Sequence, residues 1–437
     1  MAQSSVEAFG SIFKSMLSIK QDELKERILC LPFEAKMFLN NSRISFLDGL
    51  QTFCRLEKAY YGLQFLASGF LFPRREDYAA SYLSLQTGFD HIADVAFLDQ
   101  PSQEYRIAMC LKNICLIRSR LISFYRSVDE NPLKLLVECA SLCVSVEAWE
   151  QELSFPNDDV TVALEPIITV VWYPHFPNLY DCFSAELGVL SKLLRAQSRI
   201  ADLHFIDSLL YISNASAKLE SVYQIFGLPY NRGSRTHAKT PALLFWLTSF
   251  YNVLLTKYTL YWFKVLSDCI SNSDETLEVA GLENPSLVTR VINFQNRTNA
   301  LYVSVLFDAA CQDYPYLGHG FVLPGTVGDT PTGVKSFPPI FTAPLGSSLP
   351  VAEVSSALMQ ISGKLNTGEL AEFNKFLYSY DEKLNHTYFI QKLEYRVYLV
   401  IVYNGCRSRK DRQVSEFISY LSGVIRLTAL SATLRSQ

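Results

Sequence analysis

The hydrophobic pattern changes period near Tyr302, and this constrains the fold more than any other feature of the chain. Before that point apolar residues recur at the spacing of three and four that lines one face of a helix. After it, β-branched and aromatic residues gather in short runs of the kind that form strands.

The helical part reads in order. Val6, Phe9, Phe13, Met16 and Leu17 share a face near the start. This face suits bundle packing better than a membrane surface, because Glu7 and two lysines make a poor cationic side. Leu50, Phe53, Leu56, Tyr60 and Leu63 form the next stripe, and residues 76–98, 103–127 and 132–153 continue the pattern. Short polar connections would make these helices antiparallel neighbours. Pro156, Pro166, Pro174 and Pro177 exclude a continuous helix over 154–177. The apolar piece 167–173 reads as a short strand or an extended crossing. Helical spacing resumes at Leu179 and runs to Phe226 with a break near Asp202. A polar loop, 227–240, leads to the very apolar segment 241–270, with Pro241 where a first helical turn tolerates proline. A short helix is expected at 286–298.

Beyond the change, residues 302–307 read as a strand, and the Gly, Pro, Ser and Thr of 312–350 as a long loop interrupted by a strand at 339–343. Then come an expected strand (353–361), a helix (367–384), a hairpin (386–393 with 395–403) and a last helix (412–430). The fold class expected is therefore α+β and multidomain. Residues 1–153 form a helical bundle, 178–300 a second helical segment packed on it, and 301–437 a small α/β domain with a mostly antiparallel sheet.

Composition narrows the function. A hydrophobic content of 49% rules out a disordered chain, and a net charge of −4 argues against nucleic-acid binding driven by bulk charge. Ten cysteines are too dilute for a disulfide scaffold. The first twenty residues carry no unbroken apolar run, so a cytoplasmic chain with reduced thiols is expected.

Each motif that suggests chemistry has a simpler explanation. The uncharged run 240–256 is short for a bilayer span and contains Thr248, Ser249 and Asn252, which suits a buried core helix. Gly328, Gly333, Lys335 and Ser336 lie in GDTPTGVKS, but Val334 breaks the spacing of a phosphate loop and Phe337-Pro338-Pro339 cannot start the helix it needs. Cys139 with Cys143, and Cys110 with Cys115, lack the second pair or histidine of a structural zinc site. His91, His175, His204, His237, His319 and His386 are scattered. Gly318-His319-Gly320 reads as a turn or a partner contact. Arg407, Arg409, Lys410 and Arg412 read as a solvated loop, or as a contact for an acidic partner or anionic lipid. No catalytic, cofactor-binding or metal-ligating residue is assigned, and the chain is not expected to be an enzyme.

Several stretches, taken together, carry a likeness to a known family. They are Leu56-Glu57-Lys58-Ala59-Tyr60 with Phe72-Pro73-Arg74-Arg75-Glu76-Asp77; then 186–226, with Leu193-Leu194-Arg195-Ala196-Gln197, Phe205, Lys218-Leu219 and Gln224-Ile225-Phe226. Further on come Phe245-Trp246-Leu247, Asn252, Leu254-Leu255, Lys257 and Tyr261, then Val303-Ser304, Phe307-Asp308 and Gly318-His319-Gly320. Tyr380-Asp381, Lys383, Thr387-Tyr388-Phe389 and Phe417-Ile418 complete the series. Collinear from about residue 50 to 420, these stretches resemble the KICSTOR complex subunit 2 family, while 1–45, 98–175 and 321–365 look divergent. The resemblance implies a non-catalytic scaffold peripheral to the lysosomal membrane. Its implied companions are a kaptin-like subunit, an FG-GAP repeat subunit and a large seizure-threshold subunit. It implies recruitment of the GATOR GTPase-activating complex and restraint of TOR complex 1 when amino acids or glucose are scarce. Two other classes stay open for the C-terminal domain: a small-molecule or nucleotide sensor, and a vesicle-trafficking adaptor.

Overall fold

The computed structural model describes residues 44–66, 77–96, 103–154, 177–229, 240–271, 287–309, 333–365 and 375–435. The N-terminal face at Val6 to Leu17, the proline-rich stretch 155–176, Gly318-His319-Gly320 and Gly328 lie outside them, as do His175 and His237.

Among the described residues, every strand follows residue 300, where the period changes. The helices before it are α1 (Ile44–Tyr61), α2 (Tyr78–Ala96), α3 (Gln103–Glu130), the single turn α4 (Lys134–Val137) and α5 (Cys139–Ser154). They continue as α6 (Pro177–Ala201), α7 (Phe205–Ile225), α8 (Ala242–Tyr261), α9 (Phe263–Ser271) and α10 (Leu287–Thr298). The break expected near Asp202 falls at Leu203, whose φ of 54° turns the chain from α6 into α7. The segment 241–270 is two helices, not one: Trp262, at φ −111° and ψ 23°, ends the first.

Strands β1 (Tyr302–Phe307), β2 (Pro339–Ala343), β3 (Leu377–Asp381), β4 (His386–Glu394) and β5 (Val397–Asn404) form one sheet of order β2-β1-β5-β4-β3. All of its pairings are antiparallel. The remaining helices are α11 (Val351–Leu365), α12 (Arg412–Ile425) and α13 (Thr428–Arg435). The fold class is α+β, as the periodicity implies.

Two elements differ from the sequence reading. Residues 353–361 lie in helix α11, not a strand: Val354, Ala357 and Ile361 fall at helical spacing and are buried, and Pro350 precedes the first turn. Conversely, the helix expected over 367–384 contains strand β3, whose Leu377 to Asp381 pair with Ile390 to His386. Turn chemistry ends β3. Asp381 Oδ1 accepts from the backbone N–H of Lys383 and Leu384, and Asn385 adopts a φ of 55°.

The sheet separates two apolar cores. Val303, Val305, Phe389, Leu399 and Ile401 face the helices and join the main core, which runs from Phe53 to Leu434. Leu306, Tyr388, Ile390, Val400 and Val402 face the other way and are covered by Val354, Ala357 and Ile361 of α11. Strand β5 is therefore buried on both faces, which is why Val397 to Tyr403 reads as an unbroken apolar run.

Helix α8 is central. Trp246, Phe250, Tyr258 and Tyr261 are buried, Trp246 donates to the Leu430 carbonyl of α13 at 3.2 Å, and its ring meets Tyr125 of α3 edge-on. Among the described residues no single helix is long and apolar enough to cross a membrane. The α12–α13 pair, bent by 77°, passes that test by length and composition, yet its Phe417, Leu421, Ile425 and Leu430 belong to the main core.

Candidate functional site

Two buried charge networks tie the elements together. In the first, Arg118 of α3 is completely buried. Its Nε and Nη2 donate to Glu57 Oε1 and Oε2 of α1, both at 2.9 Å, and its Nη1 donates to Glu186 Oε2 of α6 at 2.6 Å. Tyr60 donates to Glu186 Oε1 at 2.6 Å and Tyr82 of α2 to Glu57 Oε1 at 2.9 Å. The guanidinium carbon lies 3.9 Å from the Tyr60 ring centre and 4.5 Å from that of Phe183. Burial works against the Arg118 charge, but Glu186 and Glu57 outweigh it and hold the guanidinium protonated. Burial raises the Glu186 carboxyl, with Arg118 opposing the shift.

The second network joins helices to sheet. Lys257 of α8, also fully buried, donates to Glu394 at the end of β4 and, at 3.0 Å, to Gln197 Oε1 of α6. Tyr261 donates to Glu394 Oε2 at 2.7 Å. Arg426, at the end of α12, donates to the carbonyls of Leu393 and Lys392. Burial lowers the Lys257 amine, and Glu394 pulls it back up.

Both networks use their charges on one another, as buried ion pairs must to offset desolvation. They hold helices in place and present no group to a substrate. The buried pair of thiols on α5 is similarly inert. Burial pushes Cys139 and Cys143 up to about 12, and their Sγ atoms donate to the Leu194 and Ser191 carbonyls. Among the described residues, no three His, Cys, Asp or Glu side chains gather in a way that could hold a metal ion.

The basic loop differs from its sequence reading at one position. Arg407 is half-buried: it donates to Asp411 Oδ2 at 2.7 Å and to the Thr298 carbonyl at 3.2 Å, and covers the Tyr403 ring at 4.1 Å. It is part of the frame. Arg409 and Lys410 point to solvent, and Arg412, 89% exposed, pairs with Glu416 at 2.6 Å. The other half of Gly333-Val334-Lys335-Ser336 is a short 3-10 turn with Gly333 at φ 60°, followed by strand β2 rather than a helix.

Exposed apolar side chains, which sequence periodicity does not separate from core ones, stand on several elements, with Val351 and Met359 on α11 among the most exposed. Ile206, Leu209 and Leu210 stand out on α7, and Val137 and Val144 on α4 and α5. Both helices flank α6, bridged to it or to each other by Arg195 with Glu147, Ser191 with Glu150 and Lys218 with Glu150. Exposed apolar patches of this kind mark contact surfaces more often than catalytic ones.

Comparison with known proteins finds likeness over most of the chain. The model of the family described as "KICSTOR complex C12orf66 like" matches residues 10–437. The chain is 25% identical over 402 residues to KICSTOR subunit 2 of Danio rerio, covering 87% of this chain and 85% of that protein. It is 24% identical over 411 residues to KICSTOR subunit 2 of Xenopus laevis, covering 89% and 87% respectively. Some residues of the resembling stretches, Glu57, Tyr60, Glu186, Gln197, Lys257 and Tyr261, take part in the two networks, together with Arg118, Tyr82, Glu394 and Arg426 from outside them. With the match spanning nearly its full length, the chain belongs to the KICSTOR C12orf66-like family.

Proposed function

We propose that the chain is a non-catalytic scaffold subunit of a KICSTOR-like complex. In this reading it helps recruit the GATOR GTPase-activating complex to the lysosomal surface, where it restrains TOR complex 1 during amino-acid or glucose scarcity. Its companions are kaptin-like, FG-GAP repeat and large seizure-threshold subunits, and its membrane placement is peripheral, through the complex.

The observation that carries the proposal is the family match over residues 10–437. The described residues support it in kind. Their buried charges are consumed in holding helices together, and exposed apolar side chains stand on the surface, among them those of α4, α5, α7 and α11. Scaffolds draw specificity from such surface, through a few aromatic, apolar or arginine anchors.

Cells lacking the chain test the reading. TOR complex 1 signalling should persist after amino-acid withdrawal and be restored by re-expression of the full chain. Normal shut-off without the chain would refute the regulatory role.

A further inference from the structure

Helix α11 forms a layer apart. It covers the outer sheet face through Val354, Ala357 and Ile361, in a core separate from the one that unites the rest of the molecule. Its first turn carries Glu353, whose side chain is 9% exposed, directly over the β3–β4 corner. There the Glu353 Oε1 atom stands 3.5 Å from Nδ1 of His386, the first residue of β4. Neither Nδ1 nor the other Glu353 oxygen, Oε2, has a hydrogen-bond partner. A buried carboxylate oxygen and a buried imidazole nitrogen left unpaired a short distance apart is a costly arrangement for a native fold.

The groups around His386 define what would pair with it. Asp381 lies directly across on β3, but its Oδ2 accepts from Ser356 of α11 at 2.8 Å and its Oδ1 from two turn amides. Asn404, across on β5, is uncharged. Tyr388 follows on the same face of β4 with its hydroxyl unpartnered. Glu382 and Lys383 of the turn are exposed to solvent and opposite in sign. Two carboxylates thus face one imidazole with no buried cation between them, and Glu353 is the acceptor still free.

We propose that His386 and Glu353 form a proton-operated latch between α11 and the sheet. When His386 gains a proton, Nδ1–H donates a charge-assisted hydrogen bond to Glu353 and clamps the first turn of α11. When the proton leaves, the charge assistance is lost and at most a weaker neutral Nδ1–H bond remains, so α11 opens more often from Leu306, Tyr388, Ile390, Val400 and Val402. No bond other than the N–H is made or broken, and the proton comes from solvent. The main core is untouched by the step, so opening is local.

Hydrogen exchange of the full chain, read by mass spectrometry at pH 5.5 and 7.5 with intrinsic rates corrected, tests the latch. In the wild type the amides of α11 should gain about tenfold protection at the lower pH, while those of β5, buried on both faces, stay constant as an internal reference. His386→Gln and Glu353→Gln keep the side-chain shape, and each should abolish the α11 difference. Equal α11 protection at both pH values in the wild type would overturn the proposal. So would a pH difference that survives in either variant.

Discussion

At the scale of single residues, Arg118 shows why a charged core position is invisible in a sequence. It lies among other basic residues of α3, inside a stretch that looks divergent, and its partners Glu57 and Glu186 are 61 and 68 positions away. Periodicity reports which face a residue occupies but not what it meets there. Replacing Arg118 with Ala would leave two buried carboxylates unpaired and should cost about 3–5 kcal/mol in denaturant unfolding. That loss should grow as pH rises. Burial raises the Glu186 carboxyl and Arg118 opposes the rise, so without Arg118 it rises further; the cost is smallest at low pH, where Glu186 is protonated, and grows as pH climbs. The basic loop makes the same point on the surface. Arg407→Glu removes bonds to Asp411 and Thr298 and a ring contact, and should cost about 1–3 kcal/mol. Arg409→Glu with Lys410→Glu, both exposed, should stay within about 0.5 kcal/mol. Equal melting of the two variants would contradict the division of that loop into frame and surface.

At the scale of elements, the long helices and the strands at 302–307 and 339–343 were legible because their apolar spacing is strong. The two elements misread, α11 and β3, are those where local preference and tertiary pairing disagree. Leu377 to Asp381 follows a helical-looking Glu–Leu–Ala stretch, yet pairing with β4 and the Asp381 turn decide its state. Residues 353–361 mix β-branched with small residues, and the buried face Val354, Ala357 and Ile361 decides for helix. Helix α12 was read correctly at its start, and Asp411 explains why. Its Oδ1 accepts from the Val414 N–H, satisfying an orphan donor of the first turn. Asp411→Ala should cost about 1 kcal/mol. Burial pushes this carboxyl up, but the hydrogen bond from Arg407 and those from the first-turn amides prevail and hold it below the ordinary range. Its contribution is therefore present above the ordinary carboxylate range near pH ~4 and disappears as pH falls through the lower folded value. A stability–pH curve in which wild type and Asp411→Ala converge in strong acid would confirm this; parallel curves would contradict it.

At the scale of the whole molecule, the chain devotes its charged interior to assembly. Arg118 joins α1, α2, α3 and α6, and Lys257 joins α6 and α8 to β4, so the helices and the sheet's inner face share one core. That union was not legible, because it rests on pairs more than a hundred positions apart, such as Lys257 with Glu394. What was legible was the collinear series of motifs, which placed the chain in its family without showing what the residues do. Affinity purification of the tagged full chain from cells, with partners quantified by mass spectrometry, tests the scaffold role most directly. A scaffold subunit should bring down the kaptin-like, FG-GAP repeat and large seizure-threshold subunits in near-equal amounts, together with GATOR components. A chain recovered alone, or with none of those subunits, would contradict it.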